Sequence, residues 1–430
     1  MATTVEPYLI KPDRAFVEEL IENGGGDLKQ CMQCATCAVV CELGDGRAPF
    51  PRKELHWAQW GLRDRLVTDP DVWLCHQCND CSVRCPRGAK PGDVLAAVRR
   101  RSIEHYAIPK VFSRWANDAR MLPVLLLIPI VLLGLSLLVR DPLGRALGFG
   151  EEHGFYAQFF PHWLLIGFYG AFSGLAAVAA IVGIVRFWNG MKRADVFAGA
   201  PVGIGTSLVR VAKAIITHER FGKCTAQAPR RVAHLTAFYG FLALYVVTLW
   251  AVADLYINPY LGVASRYPFD LAHPMKILAN IGGVLLVFGC VKAIADRSRK
   301  GPTASVSTSF DWVFAWLLLT VGATGFMTEV LRFTVPSEAD GALTTVAYGV
   351  YFVHLVVVFQ LLIYLPYSKF AHVLYRTVAM VYAEHTSRHG SARSSHDDEG
   401  GKTGPALVES GHDTENVSAV GHETREPQPA

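Results

Sequence analysis

Six long apolar segments follow one another between about residues 121 and 369 of this 430-residue chain. Each is close to the roughly 20 residues that an α-helix needs to cross the hydrocarbon core of a bilayer. Inside lipid a backbone has to satisfy its own hydrogen bonds, so segments of this length are predicted to be helices. The six spans are predicted at about 121–139, 161–187, 232–254, 274–294, 310–331 and 347–369.

Lysine and arginine are concentrated in alternate connections between these segments. They are frequent before the first span, between the second and third, and between the fourth and fifth. By the positive-inside rule these connections face the cytoplasm. The pattern predicts a multi-pass protein of the cytoplasmic (inner) membrane, in contact with membrane lipid and with both termini in the cytoplasm. The first residues lack an apolar core segment, so no cleavable signal peptide is predicted.

The charged residues divide the chain into three predicted parts. Residues 1–115 are predicted to form a cytoplasmic α-helical domain, residues 116–384 a membrane domain of six helices, and residues 385–430 a disordered cytoplasmic tail rich in Gly, Ser, His and acidic residues. The predicted fold class is therefore all-α. A formal net charge of only +4 gives no indication of nucleic-acid binding.

Two cysteine runs with the same spacing, C-x2-C-x2-C-x3-C, lie in the N-terminal part. The first run consists of Cys31, Cys34, Cys37 and Cys41, and the second of Cys75, Cys78, Cys81 and Cys85. Three thiolates at this spacing suit one 4Fe–4S cluster, and in ferredoxin-like pairs the fourth Cys of each run serves the other cluster. Structural zinc prefers separate C-x2-C pairs, and disulfides do not suit a cytoplasmic domain. Two 4Fe–4S clusters in a ferredoxin-like helical domain are the favoured interpretation.

This arrangement exchanges one ligand between the two runs. Cluster 1 would be held by Cys31, Cys34, Cys37 and Cys85, and cluster 2 by Cys75, Cys78, Cys81 and Cys41. Pro86 follows the second run as the ferredoxin-like pattern requires, whereas Glu42 follows the first. Cys224 and Cys290 lie outside the runs and are predicted to be ordinary thiols. His76, between two predicted ligands, is predicted to be a polar surface residue.

Five histidines lie in or near the ends of the spans. His234 opens the third span, His372 lies just past the sixth, and His354 lies 18 residues earlier, which is ~27 Å along a helix. His162 and His273 stand at the start of the second and fourth spans, near the opposite membrane face. Two histidines at one depth can hold a haem iron from both sides. The pairs would be His234 with His372, and His354 with either His162 or His273.

The haem interpretation competes with a simpler one. Histidines at the ends of spans can also lie at the interface and bond to water or to the backbone. Polar groups at membrane depth are costly and usually functional, which favours His354 most. The chain contains no C-x-x-C-H sequence, so any haem is predicted to be b-type.

These motifs resemble the C subunits of the quinone-interacting membrane-bound oxidoreductase (Qmo) family. That family fuses a heterodisulfide-reductase-C-like iron–sulfur domain to a cytochrome b similar to the nitrate reductase gamma subunit. The resemblance covers about residues 25–380. It rests on the cysteine runs, on the sequences Arg231-Val-Ala-His234 and His273-Pro-Met-Lys276, and on the spacing of His354 and His372.

The resemblance has one clear departure. In the gamma family the last helix carries two haem ligands at this spacing, and an earlier helix carries their partners ten residues apart. Here His234 matches the first partner, but Leu244 stands where the second would fall. One or two b haems are therefore expected, and the distal ligand stays open between His162 and His273.

The resemblance implies a membrane electron-transfer subunit of an oxidoreductase complex, with a six-helix cytochrome b bundle. Electrons would pass between the quinone pool (menaquinone or ubiquinone), b haem, two 4Fe–4S clusters and a soluble flavin/iron–sulfur partner. The implied partners are the Qmo A and B subunits and, through them, adenylylsulfate reductase in dissimilatory sulfur metabolism. Lys276 is a candidate for the quinone site, and Asp254, Glu329 and Arg332 are further proton-active candidates.

Two other functions stay open from the sequence. One is a membrane cytochrome subunit linked to heterodisulfide reductase or sulfite reductase. The other is a non-enzymatic iron–sulfur membrane anchor or sensor. The chain shows neither a G-x-G-x-x-G fingerprint nor a P-loop, so no nucleotide or flavin site is predicted on it.

Overall fold

The computed structural model describes residues 11–44, 48–149, 154–218, 230–263, 265, 267–299, 305–335 and 341–388. All regular elements in these ranges are helices, which confirms the predicted all-α class. The predicted tail from residue 389 onward and Cys224 lie outside the described residues.

Eight α-helices of the described chain precede the first membrane span, and we call them together the N-terminal domain. They are α1 (Arg14–Leu20), α2 (Thr36–Val40), α3 (Arg52–Gln59), α4 (Arg63–Thr68), α5 (Asp71–Leu74), α6 (Asp80–Val83), α7 (Pro91–Tyr106) and α8 (Lys110–Asn117). Asp13 caps α1 by accepting a hydrogen bond from the backbone N–H of Phe16 at 3.0 Å. Gly61, with a left-handed backbone (φ 65°), separates α3 from α4.

The rest of the described chain contains eight further α-helices. They are α9 (Leu122–Leu147), α10 (His162–Ala194), α11 (Ile204–Thr217), α12 (Arg230–Tyr256), α13 (Pro274–Ser298), α14 (Ser309–Thr334), α15 (Ala342–Ile363) and α16 (His372–His385). All except α11 and α16 are long and apolar enough to cross a membrane, which confirms the six predicted spans. We call the span ends beside the N-terminal domain the near end, and the opposite ends the far end.

The sixth span ends earlier than predicted. Helix α15 stops at Ile363, and two 3-10 turns, Leu365–Tyr367 and Lys369–Ala371, separate it from α16. Pro366 has no backbone N–H with which to continue the helical hydrogen bonds. His354 and His372 therefore do not lie along one continuous helix, contrary to the sequence-based expectation.

The third and fourth spans are packed backbone against backbone. A Cβ atom on Gly240 of α12 would lie 2.5 Å from the backbone nitrogen of Leu286, and one on Gly289 would lie 2.5 Å from that of Ala237. Small residues permit this close approach of membrane helices. Leu244, one turn after Gly240, packs into the same apolar cluster as Leu286. The position where the resemblance would place a second haem ligand is thus part of the helix packing.

A buried group of charges joins the N-terminal domain to the helices that follow, and we call it the ion network. The Lys53 ammonium of α3 lies 2.7 Å from Asp69 and 3.0 Å from Asp71. Arg388 binds the same two carboxylates and also Asp195, which follows α10. Arg388 falls inside the predicted disordered tail, yet it is only 2% exposed. The first residues of the predicted tail therefore belong to the packed structure.

Glu54 completes the ion network without a hydrogen bond. Its Oε1 atom lies 3.0 Å from the Lys53 ammonium. Neither carboxyl oxygen has hydrogen-bond geometry with any residue in the described part of the chain. Burial, only partly opposed by Lys53, raises the pKa of Glu54 well above its ordinary value. A protonated Glu54 lowers the excess of negative charge around the two cations.

We expect Glu54→Gln to raise thermal stability at pH 8 and to leave it nearly unchanged near pH 4. With a raised pKa, the folded state keeps a proton that the unfolded state releases above about pH 4.5. The contribution of this group to stability is therefore complete at acid pH and falls as the pH rises through that value. Glutamine does not ionise and removes this loss. The unfolding temperature of the detergent-solubilised protein at both pH values measures the effect.

Asp71→Asn is the matched control for this prediction. Asp71 accepts hydrogen bonds from both Lys53 and Arg388. Removing its charge leaves two buried cations short of a partner, a change that costs about 3–5 kcal/mol. A comparable loss of stability in Glu54→Gln at pH 8 would show that Glu54 is ionised and would contradict the prediction.

Candidate functional site

The eight thiols of the two cysteine runs form two groups, and each group contains one member of the other run. The first group lines one cavity with an empty volume of about 360 Å³ and consists of Cys31, Cys34, Cys37 and Cys85. In the second group, Cys81 interacts electrostatically with Cys75, Cys41 and Cys78. The structure brings together both sets that the ferredoxin-like pattern predicts. Their assignment as cluster ligands stays a prediction.

The two runs also share one backbone conformation. Gln33 and Ala35 in the first run have positive φ angles of 62° and 69°, and the equivalent Gln77 and Asn79 have 53° and 65°. Left-handed residues other than glycine are uncommon and indicate a locally constrained loop. The backbone N–H of Gln77 lies 3.3 Å from the Cys75 sulfur and donates to it. Each loop is thus shaped to gather its thiols on one side.

The chemistry of both thiol groups fits a bound iron–sulfur cluster. Burial, reinforced by Cys31 and Cys34, raises the pKa of Cys37 to about 11. Burial likewise raises the pKa of Cys41 to about 12. Gathered thiols of this kind ionise with difficulty unless a positive metal centre stabilises their thiolates. Four-thiolate groups are the ligand sets of 4Fe–4S clusters.

At the near end, the structure brings His234 and His372 close enough to interact electrostatically. His372 Nδ1 lies 2.7 Å from the carbonyl oxygen of Lys369. A carbonyl only accepts, so Nδ1 carries the proton and Nε2 presents its lone pair. This hydrogen bond is typical of histidines that bind a metal, and His372 therefore fits a haem ligand.

The sequence interpretation missed a third histidine at this site. The ring of His218 lies 5.4 Å from the ring of His234. His218 follows α11 with a left-handed backbone (φ 50°). Its approach to His234 depends on the packing of α11, an amphipathic helix in a connection where no helix was predicted.

At the far end, His354 of α15 has a similarly defined tautomer. Its Nδ1 lies 2.9 Å from the Thr324 hydroxyl, and that hydroxyl donates its own proton to the Thr320 carbonyl at 2.6 Å. The His354 Nδ1–H is therefore the donor, and Nε2 carries the lone pair. A Cβ atom on Gly325 would lie only 3.4 Å from the His354 ring, so glycine leaves space beside the imidazole.

The two candidate partners of His354 have different surroundings. His273 Nδ1 accepts a hydrogen bond from the backbone N–H of Met275 at 3.2 Å and thereby caps α13. The His273 ring also stacks on Phe269 with 4.3 Å between centroids. The His162 ring lies 5.9 Å from that of Tyr267. The choice between His162 and His273 as a distal ligand stays a prediction.

The quinone candidate Lys276 forms an ion pair inside the bundle. Its ammonium lies 2.8 Å from the Glu329 carboxylate of α14, and both side chains are largely buried. Asp254 has a different role, since its carboxylate accepts hydrogen bonds from Ser265, Asn258 and the backbone of Tyr267. A charged pair at membrane depth is costly and is usually functional.

His76 is not the surface residue that the sequence predicted. It is half-buried, and its Nδ1 lies 2.7 Å from the guanidinium of Arg376 on α16. Arg376 also donates to the backbone carbonyl of Cys75 at 3.1 Å. Because Arg376 follows His372 by about one helical turn, the second cysteine run contacts the helix of a predicted haem ligand. No local sequence signal connects positions 300 residues apart.

Comparison with known proteins identifies the N-terminal domain. Residues 27–89 match the family described as a 4Fe-4S dicluster domain. The chain is 42% identical over 97 residues to a protein of Archaeoglobus profundus that is itself like the C subunit of heterodisulfide reductase, a match that covers 22% of this chain and 52% of that protein. It is 37% identical over 91 residues to the C subunit of the H(2):CoB-CoM heterodisulfide,ferredoxin reductase of Methanothermobacter marburgensis, covering 21% and 49%. The chain thus spans about half the length of these relatives.

A further match extends into the membrane helices. Citrate utilization protein B of Escherichia coli is 27% identical over 322 residues, covering 72% of this chain and 80% of that protein. No solved structure matches the chain. The protein is therefore an iron–sulfur protein with six helices suited to a membrane. Its N-terminal part is a 4Fe-4S dicluster domain related to the C subunits of heterodisulfide reductases, and the remainder resembles citrate utilization protein B.

We expect Cys85→Ser to lower the iron and acid-labile sulfide content by about half, because only one of the two thiol groups loses a ligand. Cys290→Ser is the matched control, since Cys290 is a buried thiol of α13 outside both groups. Iron analysis of anaerobically purified protein measures both variants. Equal iron in Cys85→Ser and the unaltered protein would contradict the exchange of ligands between the runs.

Proposed function

We propose that this chain is the membrane electron-transfer subunit of a quinone-interacting oxidoreductase complex of the Qmo type. It passes electrons between the quinone pool and a soluble flavin/iron–sulfur partner. The relatives named as heterodisulfide reductase subunits support the role of an oxidoreductase subunit. The six apolar helices support its place in a membrane, which we propose is the cytoplasmic membrane with the N-terminal domain on the cytoplasmic side.

Three kinds of residue serve this function. The two thiol groups would each hold a 4Fe–4S cluster, and His372 with His234 would hold a b haem at the near end. His354, with His162 or His273, would hold a second haem at the far end. When bound, these groups supply one-electron transfer. The protein positions them, keeps the imidazole Nε2 lone pairs available and excludes water from the thiols.

The contact of Arg376 with Cys75 and His76 carries the proposal. It connects the loop of the second cysteine run to α16 by two hydrogen bonds of 3.1 and 2.7 Å. His372 begins that helix. An electron carrier needs its redox sites close together and held rigidly, and this contact joins the two predicted sites at the boundary between the N-terminal domain and the spans.

The opposite side of the N-terminal domain supports docking of a soluble partner. Met32, beside Cys31, is 65% exposed, and Val39, between Cys37 and Cys41, is 86% exposed. Exposed apolar residues on loops that surround a redox site favour protein contact there. Following the family resemblance, we propose the Qmo A and B subunits as the partners and adenylylsulfate reductase beyond them.

A reduced-minus-oxidised spectrum of the purified protein tests this function. We expect about eight irons in clusters and a b-type α-band that appears with dithionite and disappears on addition of a quinone analogue. His372→Ala should lose most of the near-end haem signal and retain the iron of the clusters. His385→Ala is the matched control, because His385 lies on the same helix and also bonds a carbonyl, that of Val202.

Two results would contradict the proposal. Clusters without any b haem in the unaltered protein would exclude a cytochrome and leave the spans as an anchor. A reduced haem that no quinone analogue oxidises would exclude the link to the quinone pool.

A further inference from the structure

A second cavity lies at the near end of the bundle. It is enclosed by α8, the first turns of α9 and α14, and the end of α15, and its empty volume is about 550 Å³. Four aromatic residues contribute to its walls: Trp115, Phe310, Phe314 and Tyr364. Leu122, Leu125 and Leu317 add aliphatic surface. The cavity therefore suits a flat, largely apolar molecule with few polar groups.

One polar group of the cavity has no partner within the protein. Tyr364 is only 5% exposed, and its hydroxyl oxygen makes no hydrogen bond to the part of the chain that the structure describes. Burial raises the pKa of Tyr364 to about 12, so the phenol keeps its proton and remains a donor. Buried hydroxyls are almost always hydrogen-bonded, and an exception calls for a ligand or a functional reason.

The cavity adjoins the predicted near-end haem site. Lys369 lines the cavity, and its backbone carbonyl accepts the hydrogen bond from His372. Phe314 also lines the cavity, and its ring lies 6.4 Å from the His372 ring. The Lys369 ammonium pairs with Asp311 at the first turn of α14. A ligand in the cavity would thus be separated from His372 by a single layer of side chains.

We propose that this cavity binds the headgroup of a membrane quinone, with the Tyr364 hydroxyl donating a hydrogen bond to a quinone carbonyl oxygen. A quinone headgroup is a flat ring with carbonyl acceptors, which matches aromatic walls and an unpaired donor. The inference rests on the proposed function and adds to it a site at the near end. This site lies at the opposite end of the spans from the Lys276–Glu329 pair.

Binding of 2-heptyl-4-hydroxyquinoline N-oxide, a quinone-site probe whose fluorescence is quenched on binding, tests the inference in the purified full-length protein. We expect Tyr364→Phe to weaken the affinity about tenfold, the loss of one hydrogen bond in a buried site. The same variant should not lower the unfolding temperature, because the hydroxyl has no partner in the described structure. A residue with only a structural role would not produce this combination.

Tyr367→Phe is the matched control. The Tyr367 hydroxyl lies outside the cavity and donates to the carbonyl of Ile108 at 2.7 Å. This variant should lower the unfolding temperature and leave probe affinity unchanged. The two phenols are three residues apart, so the pair separates ligand binding from stability.

Three outcomes would overturn the inference, and they differ in what they say about the proposed function. Equal affinity of the unaltered protein and Tyr364→Phe shows that the probe does not use this hydroxyl. Loss of affinity in Lys276→Met alone places the quinone at the far end and leaves the proposed function intact. Failure of the unaltered protein to bind the probe contradicts the quinone link itself and the inference with it.

Discussion

The ion network around Lys53 and Arg388 holds the N-terminal domain against the membrane helices. Two buried cations bind carboxylates that follow α4 and α10, so three distant parts of the chain meet in one place. Removing charges from water is expensive, and such a network is stable only when every charge has a partner. The ion network therefore favours one orientation of the domain over all others. The proximity of the second cysteine run to α16 depends on that orientation.

Two further contacts support the same arrangement. Arg376 binds the Cys75 carbonyl and His76, and Asp93, which the sequence predicted as a cap of α7, instead accepts a hydrogen bond from Val306 before α14 at 3.2 Å. The near end of the bundle is consequently where the second thiol group, His372 and the Tyr364 cavity meet. In the proposed function this region connects quinone, haem and clusters within a short distance. The far end, with His354 and the Lys276–Glu329 pair, is a separate polar site.

The predictions that the structure and the comparisons confirm all depend on local patterns. Apolar segments of span length become helices because lipid leaves the backbone no other partners. The C-x2-C-x2-C spacing identifies a 4Fe-4S domain because a short loop determines where its thiols lie. The mistaken predictions concern residues whose role depends on distant neighbours. His76 was assigned to the surface because its partner Arg376 is 300 residues away, and Arg388 was assigned to a disordered tail because nothing nearby indicates burial.

The sequence by itself determined the helical class, the number of spans and the chemistry of the N-terminal domain. Periodicity and spacing act over a few residues, and those constraints are present in the printed letters. Only the tertiary structure decided which cysteines meet, that the last span breaks before His372, and that His218 approaches His234. It also decided that Tyr364 is left without a partner in the described part of the chain. These features arise from packing between distant segments, where burial and charge pairing outweigh local preference.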